Sequence, residues 1–241
     1  MKSLGLMIAA LIGAAAVLSI AAWWIGPQLV HIALLDDQRD QPYLLLDFAK
    51  TTDHRGDNYL ISHYQEPLTG LIASEGGVAV GSYTLVQLLE GSRADEWSHL
   101  NNFHLSRAQD IAQVMTSSPY RLIATNGSVS NFSLGHFSAQ PVRWRAGLII
   151  WLVRNSDHVS VDNLAPVLAT LAGTTGQVVW DEAAHIYHRE QDWDRLLVVD
   201  FPSAQDALVW MRDPEVSTAR VIAGAKARRS MVAVYSRADT R

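Results

Sequence analysis

WSHLNNFHLSRAQDIAQVM (Trp97–Met115) and WDRLLVVDFPSAQDALVWM (Trp193–Met211) align without a gap, and the pairs Trp97/Trp193, Leu100/Leu196, Ala108/Ala204, Gln109/Gln205, Asp110/Asp206 and Met115/Met211 are identical. In each stretch a tryptophan opens an alternating run, and Ala-Gln-Asp then begins a segment with helical apolar spacing. Alternation is the strand period and the i, i+3, i+4 pattern the helix period, so each copy reads as a strand followed by a helix. Ser106 is placed to cap a helix over 107–116, and Pro202-Ser203 to open one over 203–211, where a cap and a proline are tolerated. Pro119 matches Pro214 after a one-residue slip, and Pro67 and Pro166 sit at similar points upstream.

Outward from this pair, both copies follow one order. The first has a strand at Tyr43–Phe48, then a helix over 58–74 with Leu60, Tyr64, Leu68, Leu71 and Ile72 at helical spacing. A strand runs from Val78 to Leu89 after Gly76-Gly77, a third from Glu96 to Leu105, and a last over 128–137. The second has strand 147–153, helix 159–172, strands 177–188 and 192–201, helix 203–211 and strand 229–236. The order βαββαβ is that of the ferredoxin-like split unit. Its open sheet carries helices on one face only, and a second copy on the same chain covers the bare face. The expected class is α+β: tandem ferredoxin-like units at 43–139 and 143–237, behind a connector at 27–42 and an anchor at 1–26.

Leu196-Leu-Val-Val-Asp-Phe-Pro-Ser203, with Ala207, Trp210, Asp213-Pro-Glu215 and Ala219-Arg220, resembles the uncharacterised bacterial family known as domain of unknown function 1330. The likeness runs over 192–236 and echoes weakly over 43–137, where Leu105-Ser106 replaces Phe-Pro and Ser118-Pro119-Tyr120 stands for the short proline segment. It implies a dimeric α/β barrel, here made within one chain as a fused pseudo-dimer. It carries no activity and no catalytic residue with it.

From Ser3 to Leu35 there is no Asp, Glu, Lys or Arg. Leu4 to Ile25 as a helix spans roughly 33 Å, enough for a hydrocarbon core of about 30 Å. Trp23 and Trp24 close the run at the position of a membrane interface, and Pro27 follows. Residues 4–25 are therefore expected to sit in the lipid bilayer. Lys2 lies on the short side, while Asp36, Asp37 and Asp40 outnumber Arg39 on the other, which leaves the N-terminus cytoplasmic and exports the body. The alternative is a secretory signal cleaved near Ser19-Ile20-Ala21. Lysine occurs only at Lys2, Lys50 and Lys226 while arginine is plentiful, which fits a GC-rich bacterium, an inner-membrane tether and a periplasmic body.

Of the 241 residues, 49% are hydrophobic and 18% charged, a balance that excludes a disordered chain. The net charge of −5 argues against nucleic acid as a partner, and the absence of cysteine excludes disulfides, thiolate metal sites and a cysteine nucleophile. His185 and His188 lie three apart on an expected strand and point to opposite faces, and no metal-ligand spacing occurs, so no metal is expected. Gly224-Ala-Lys226-Ala-Arg-Arg229 lacks the glycine spacing of a phosphate loop.

The third strands differ between copies. Trp97, His99, Asn101 and Phe103 share one face and Ser98, Leu100, Asn102 and His104 the other, whereas the second copy is apolar at several matching places. Such lopsidedness arises from drift at solvent-facing sites or from a small-ligand cavity between unlike halves. His99, Asn101, His104, Arg195 and Asp200 are the candidate lining, with His104 and Asp200 in equivalent positions. The functional expectation is a tethered, non-catalytic module that binds a small ligand or a membrane-associated protein and uses no cofactor. The alternative is an enzyme of the dimeric α/β-barrel type: a cofactor-free monooxygenase, an isomerase or a haem-dependent enzyme. His99, His104, Arg195 and Asp200 would then serve as acid, base or anion clamp.

Overall fold

Tyr43-Leu-Leu-Leu-Asp-Phe-Ala-Lys-Thr51 forms β1, buried almost throughout because both of its faces are covered. Leu44, Leu46 and Phe48 turn to one apolar cluster, and Tyr43, Leu45 and Ala49 to another. This is the first strand of a computed structural model that describes residues 39–53, 55–124, 127–138, 141, 143–155, 164–183, 185–188, 193, 195–224 and 227–238. The expected anchor, with Trp23 and Trp24, lies outside the described residues. No helix among the described residues is long and apolar enough to cross a membrane.

After β1 a helix runs as α1 (Gly56–Leu60), a π-helical turn (Ile61–Gln65) and α2 (Glu66–Ser74). Then come β2 (Val78–Glu90), β3 (His99–Leu105), α3 (Ala108–Thr116), α4 (Ser118–Ala124) and β4 (Val129–Phe137). The rest of the chain gives β5 (Gly147–Asn155), α5 (Ala165–Ala169), β6 (Gln177–Ala183), β7 (His185–His188), β8 (Arg195–Phe201), α6 (Ala204–Met211), α7 (Pro214–Gly224) and β9 (Ala227–Arg237).

The strands form one sheet in the order β6-β8-β5-β9-β2-β3-β1-β4-β7, and every described pairing is antiparallel. The stretch expected as one strand over 177–188 divides its pairing: β6 lies on β8 and β7 on β4. Because a single residue separates β6 from β7, the two ends of the strand order belong to one piece of chain, and the sheet curls back on itself. β2 behaves likewise, pairing with β3 over Val78–Thr84 and with β9 over Tyr83–Glu90.

Three cores result. Inside the curl, Leu44, Phe48, Tyr83, Trp97, Phe132, Trp144, Trp180, Trp193 and Tyr235 pack with smaller residues from both halves of the chain. The α1–α4 layer buries a second core against β1, β3 and β4, and the α5–α7 layer a third against β5, β8 and β9. Trp210 lies in the third core, with its Nε1 donating to Thr170 O at 3.3 Å.

Local differences from the sequence reading have physical causes. Ser203 caps α6 by accepting from Asp206 N, as expected. Ser106 does not cap α3: Arg107 occupies the N-cap, and its guanidinium pairs with Asp110 at 2.7 Å. Of the helix expected over 159–172, residues 159–163 lie outside the described residues, α5 covers Ala165–Ala169, and the chain turns at 170–172. The short proline segments are the helices α4 and α7. Their starts are secured by Ser117 Oγ accepting from Tyr120 N and by Asp213 Oδ1 accepting from Glu215 N.

Asn102 faces the inner core, opposite Leu46, at the place that Val198 takes opposite Ile150. It is fully buried, and neither amide atom has a hydrogen-bond partner among the described residues. Asn102→Leu, of similar shape, is expected to stabilise the chain by about 1–3 kcal/mol, seen as a rise of roughly 2 °C or more in Tm.

Candidate functional site

The ladder registers place Ser82 of β2, Asn101 of β3, Asp47 of β1 and Ser133 of β4 side by side across four strands. The matching row of the other half is Asp181, Leu197, Trp151 and Val232. One row is polar throughout, while the other has an apolar centre. Asp47 breaks the apolar run of β1 at a position that points toward the α1–α2 helix, away from the inner core.

The roof comes from the π-helical turn. Its wider winding lets two consecutive residues, Tyr64 and Gln65, both reach the sheet; such turns recur at functional sites. Tyr64 Oη donates to Asp47 Oδ1 at 2.8 Å, and Ser133 Oγ donates to the same oxygen at 3.0 Å. Asn101 Nδ2 reaches Oδ2 at 3.5 Å. Gln65 Nε2 donates to Asn101 Oδ1, which also accepts from Ser82 Oγ at 3.1 Å. Asn131 Nδ2 donates to Tyr120 Oη at 3.4 Å on the flank of the cluster.

Asp47 is 1% exposed, and no described ion pair or hydrogen bond brings it a cation. Burial pushes its carboxyl up to about 6, against the opposing pull of hydrogen bonds from Tyr64, Ser133, Asn101 and Asn131. Burial, followed by the nearby Asp47, holds the Tyr64 phenol well above its ordinary value. His99 lies two residues before Asn101 on β3, with Nδ1 3.2 Å from Ser98 Oγ and 3.9 Å from Asp57 Oδ1 of α1. Burial pulls its imidazole below the ordinary value, partly offset by Asp57, so it is neutral near pH 7. Its side chain is 3% exposed while that of Asp57 is 69% exposed, so the cluster meets solvent at this end.

A buried carboxylate without a cation is costly. The second half places Trp151 at the equivalent point and builds the same helix-on-sheet core. The fold therefore does not require the polar row, which makes it the candidate functional site.

The five residues singled out from sequence do not line one cavity. His99 and Asn101 belong to this cluster. His104 and Asp200 do hold equivalent positions, opposite Leu44 and Leu148 on the inner face, but each is occupied locally. His104 Nε2 lies 3.2 Å from Ser138 O. Asp200 accepts from Arg145 Nε at 2.9 Å, from Arg145 Nη2 at 2.7 Å and from Arg145 N at 3.2 Å. Arg195 lies in the second half, paired with Asp181 at 2.6 Å. Asp200 is 4% exposed, so Arg145→Met, which strips its partner, is expected to cost about 3 kcal/mol in urea unfolding.

Asp47, Tyr64, Gln65, Ser82 and Ser133 were not anticipated. A lone carboxylate inside Tyr43–Lys50 was the available signal for the first of them.

No protein-family model matches the chain, and no curated protein matches it. Solved structures do. An anthrone oxidase-like protein is 15% identical over 84% of this chain and 93% of its own, with a TM-score of 0.53. Chlorite dismutase from Candidatus Nitrospira defluvii, in complex with imidazole, is 13% identical over 81% and 91%, with a TM-score of 0.46. A haem-binding protein from Thermus thermophilus is 9% identical over 83% and 92%, with a TM-score of 0.45. The likeness is one of fold: α+β, with a curled antiparallel sheet of the dimeric α/β-barrel kind.

These neighbours correct two expectations. The expected non-catalytic binding module is withdrawn: an oxidase-like protein has this fold, so the fold lends that expectation no support. The expectation that no cofactor is involved is withdrawn as well, since one of the solved structures of similar fold is described as a haem-binding protein. The histidines whose side chains are described are His63, His99 and His104. His63 stacks on Tyr59 at 4.1 Å and contacts Ser62, His99 lies beside Asp57, and His104 is tied to Ser138. Each of the three is engaged by a local partner, so these residues do not fit a haem. No group of three or more metal-ligating side chains occurs among the described residues.

Proposed function

We propose that the chain is an enzyme of the dimeric α/β-barrel type, a monooxygenase or isomerase. Its acid–base site is the Asp47 row roofed by Tyr64 and Gln65, in the first of two fused ferredoxin-like units at 43–139 and 143–237. The observation that carries this reading is the buried, cation-free carboxylate at a place where the second unit uses tryptophan. With its carboxyl near 6, Asp47 is largely ionised at pH 7 and still basic enough to accept a proton. Tyr64 keeps its proton and donates it in a hydrogen bond, which steadies the Asp47 carboxylate. Gln65 holds the Asn101 amide so that its nitrogen faces the carboxylate, and neutral His99 is a second base at the solvent end.

The test is a turnover screen with purified protein, with and without added haem, against Asp47→Asn and Tyr64→Phe. Expected is a kcat/KM that rises through pH 6 and is lost in Asp47→Asn. Undiminished turnover by Asp47→Asn would discard the site.

The proposed address is the inner membrane, with residues 4–25 in the bilayer, the N-terminus cytoplasmic and the body periplasmic, or a periplasmic protein after signal cleavage. A C-terminal tag degraded by protease in spheroplasts supports it, and a protected tag refutes it. The narrower kinship, to domain of unknown function 1330, rests on Leu196–Ser203 and the residues after it.

A further inference from the structure

We infer that a cavity at the seam between the two halves binds one small amino carboxylate, its carboxylate against Arg229 and its ammonium against Glu90; this site is separate from the Asp47 row. Glu90 ends β2, Gly91 and Ser92 follow it, Asp95 closes the next turn, and Arg229 and Ser230 stand near the start of β9. Together they line an open cavity of about 400 Å³. Pockets for small molecules hold roughly 300–1,000 Å³, so the space suits a ligand at the small end of that class. Gly91, at φ 124°, leaves one wall without a side chain.

Arg229 closes the basic run that follows Gly224 in the sequence. Its guanidinium is fixed from two sides. Nη2 donates to Asp95 Oδ1, and Cζ lies over the Trp193 ring, 4.7 Å from the centroid. Asp95 is buried, whereas the Arg229 side chain is 40% exposed. Among the described residues the guanidinium has no other hydrogen-bond partner, so Nε and Nη1 are left for a planar carboxylate.

Glu90 supplies the opposite charge. Its Oε1 accepts from Ser230 Oγ, while the described group nearest Oε2 is Arg220 Nη2 at 3.6 Å, beyond hydrogen-bond distance. Ser92 and Ser230 spend their hydroxyl hydrogens on Asp95 and Glu90, so the side-chain donor left for a ligand is Arg229. The lining thus sets two carboxylates beside one guanidinium. A bare anion meets Glu90 and Asp95, a bare cation meets Arg229, and a molecule carrying both charges is matched at each end. Glu90 and Arg229 come from different halves of the chain, joined by the β2–β9 ladder. In the first half Ser130 stands opposite Lys50, as Arg229 stands opposite Arg154 in the second. A serine replaces the guanidinium there, and each chain takes one ligand.

The probes are glycine, β-alanine, 4-aminobutyrate and 5-aminopentanoate, a ladder of charge separation, with pentanoate and butylamine as controls of single charge. They are titrated by calorimetry into the full chain at pH 7.5. Expected is a member of the ladder that binds once per chain, about tenfold to hundredfold more tightly than either control, the range of a charge-assisted hydrogen bond. Glu90→Gln removes its advantage over pentanoate. Arg229→Lys, which keeps a cation beside Asp95 but loses the planar fork, weakens it about tenfold while the far-ultraviolet circular dichroism stays unchanged. Asp47→Asn leaves the binding as it is. No binding by any member of the ladder, a control that binds as tightly as the best of them, or undiminished affinity in Glu90→Gln would overturn the inference. Loss of binding in Asp47→Asn would overturn it too, by moving the ligand to the other site.

Discussion

Asp47→Asn is expected to lower turnover by about two to four powers of ten, the usual yield of a positioned base. It should leave the chain folded, because the amide oxygen still accepts from Tyr64 and Ser133. The same substitution changes how stability depends on pH. The Asp47 carboxyl lies near 6 in the fold against 3.8 in an unstructured chain, so the native state binds this proton more tightly. Its contribution is complete below pH 4 and is lost as the pH rises through 6. A shift of about two units corresponds to about 3 kcal/mol. Urea unfolding of the parent should therefore weaken between pH 4 and 7 relative to Asp47→Asn, and parallel curves would contradict the assigned environment.

Gly147→Ala is expected to be the most damaging small substitution. An added Cβ would lie 2.2 Å from both Ser203 C and Ser203 O, and 2.5 Å from Ala204 N. These are backbone atoms at the N-cap of α6, so no side-chain rotation relieves the clash. A loss of about 3 kcal/mol is expected, read as a lower urea midpoint with an unchanged m-value. Stability within 1 kcal/mol of the parent, on the scale of ordinary surface changes, would mean that α6 can shift from β5.

The pair Trp97–Met115 and Trp193–Met211 carried the fold because it combines two periods in a fixed order, and periodicity survives when identities do not. Helices α4 and α7 were under-read although their cap signals were present, Ser117 before Pro119 and Asp213-Pro214-Glu215. His99 and Asn101 stood out because polar residues in an apolar strand are conspicuous. The face they occupy could not be assigned from one strand, since it depends on the register of Asn101 against Asp47. Tyr64 read as ordinary core because it keeps helical spacing with Leu60 and Leu68; the π-helical turn that aims it at a carboxylate has no marker in local sequence. His104 and Asp200 hold equivalent positions, but Ser138 and Arg145, which engage them, lie outside the aligned stretches Trp97–Met115 and Trp193–Met211.

The exchange of partners along the second strands bears on how the molecule can come apart. β2 gives its first part to β3 and its later part to β9, while β6 and β7 divide between β8 and β4. Severing the chain between Ser138 and Arg143 would yield two fragments with raw ladder edges in place of two self-sufficient domains. Each fragment's best complement is the other, so cleaved protein should reconstitute by association on mixing, and either piece alone should cling to its own kind.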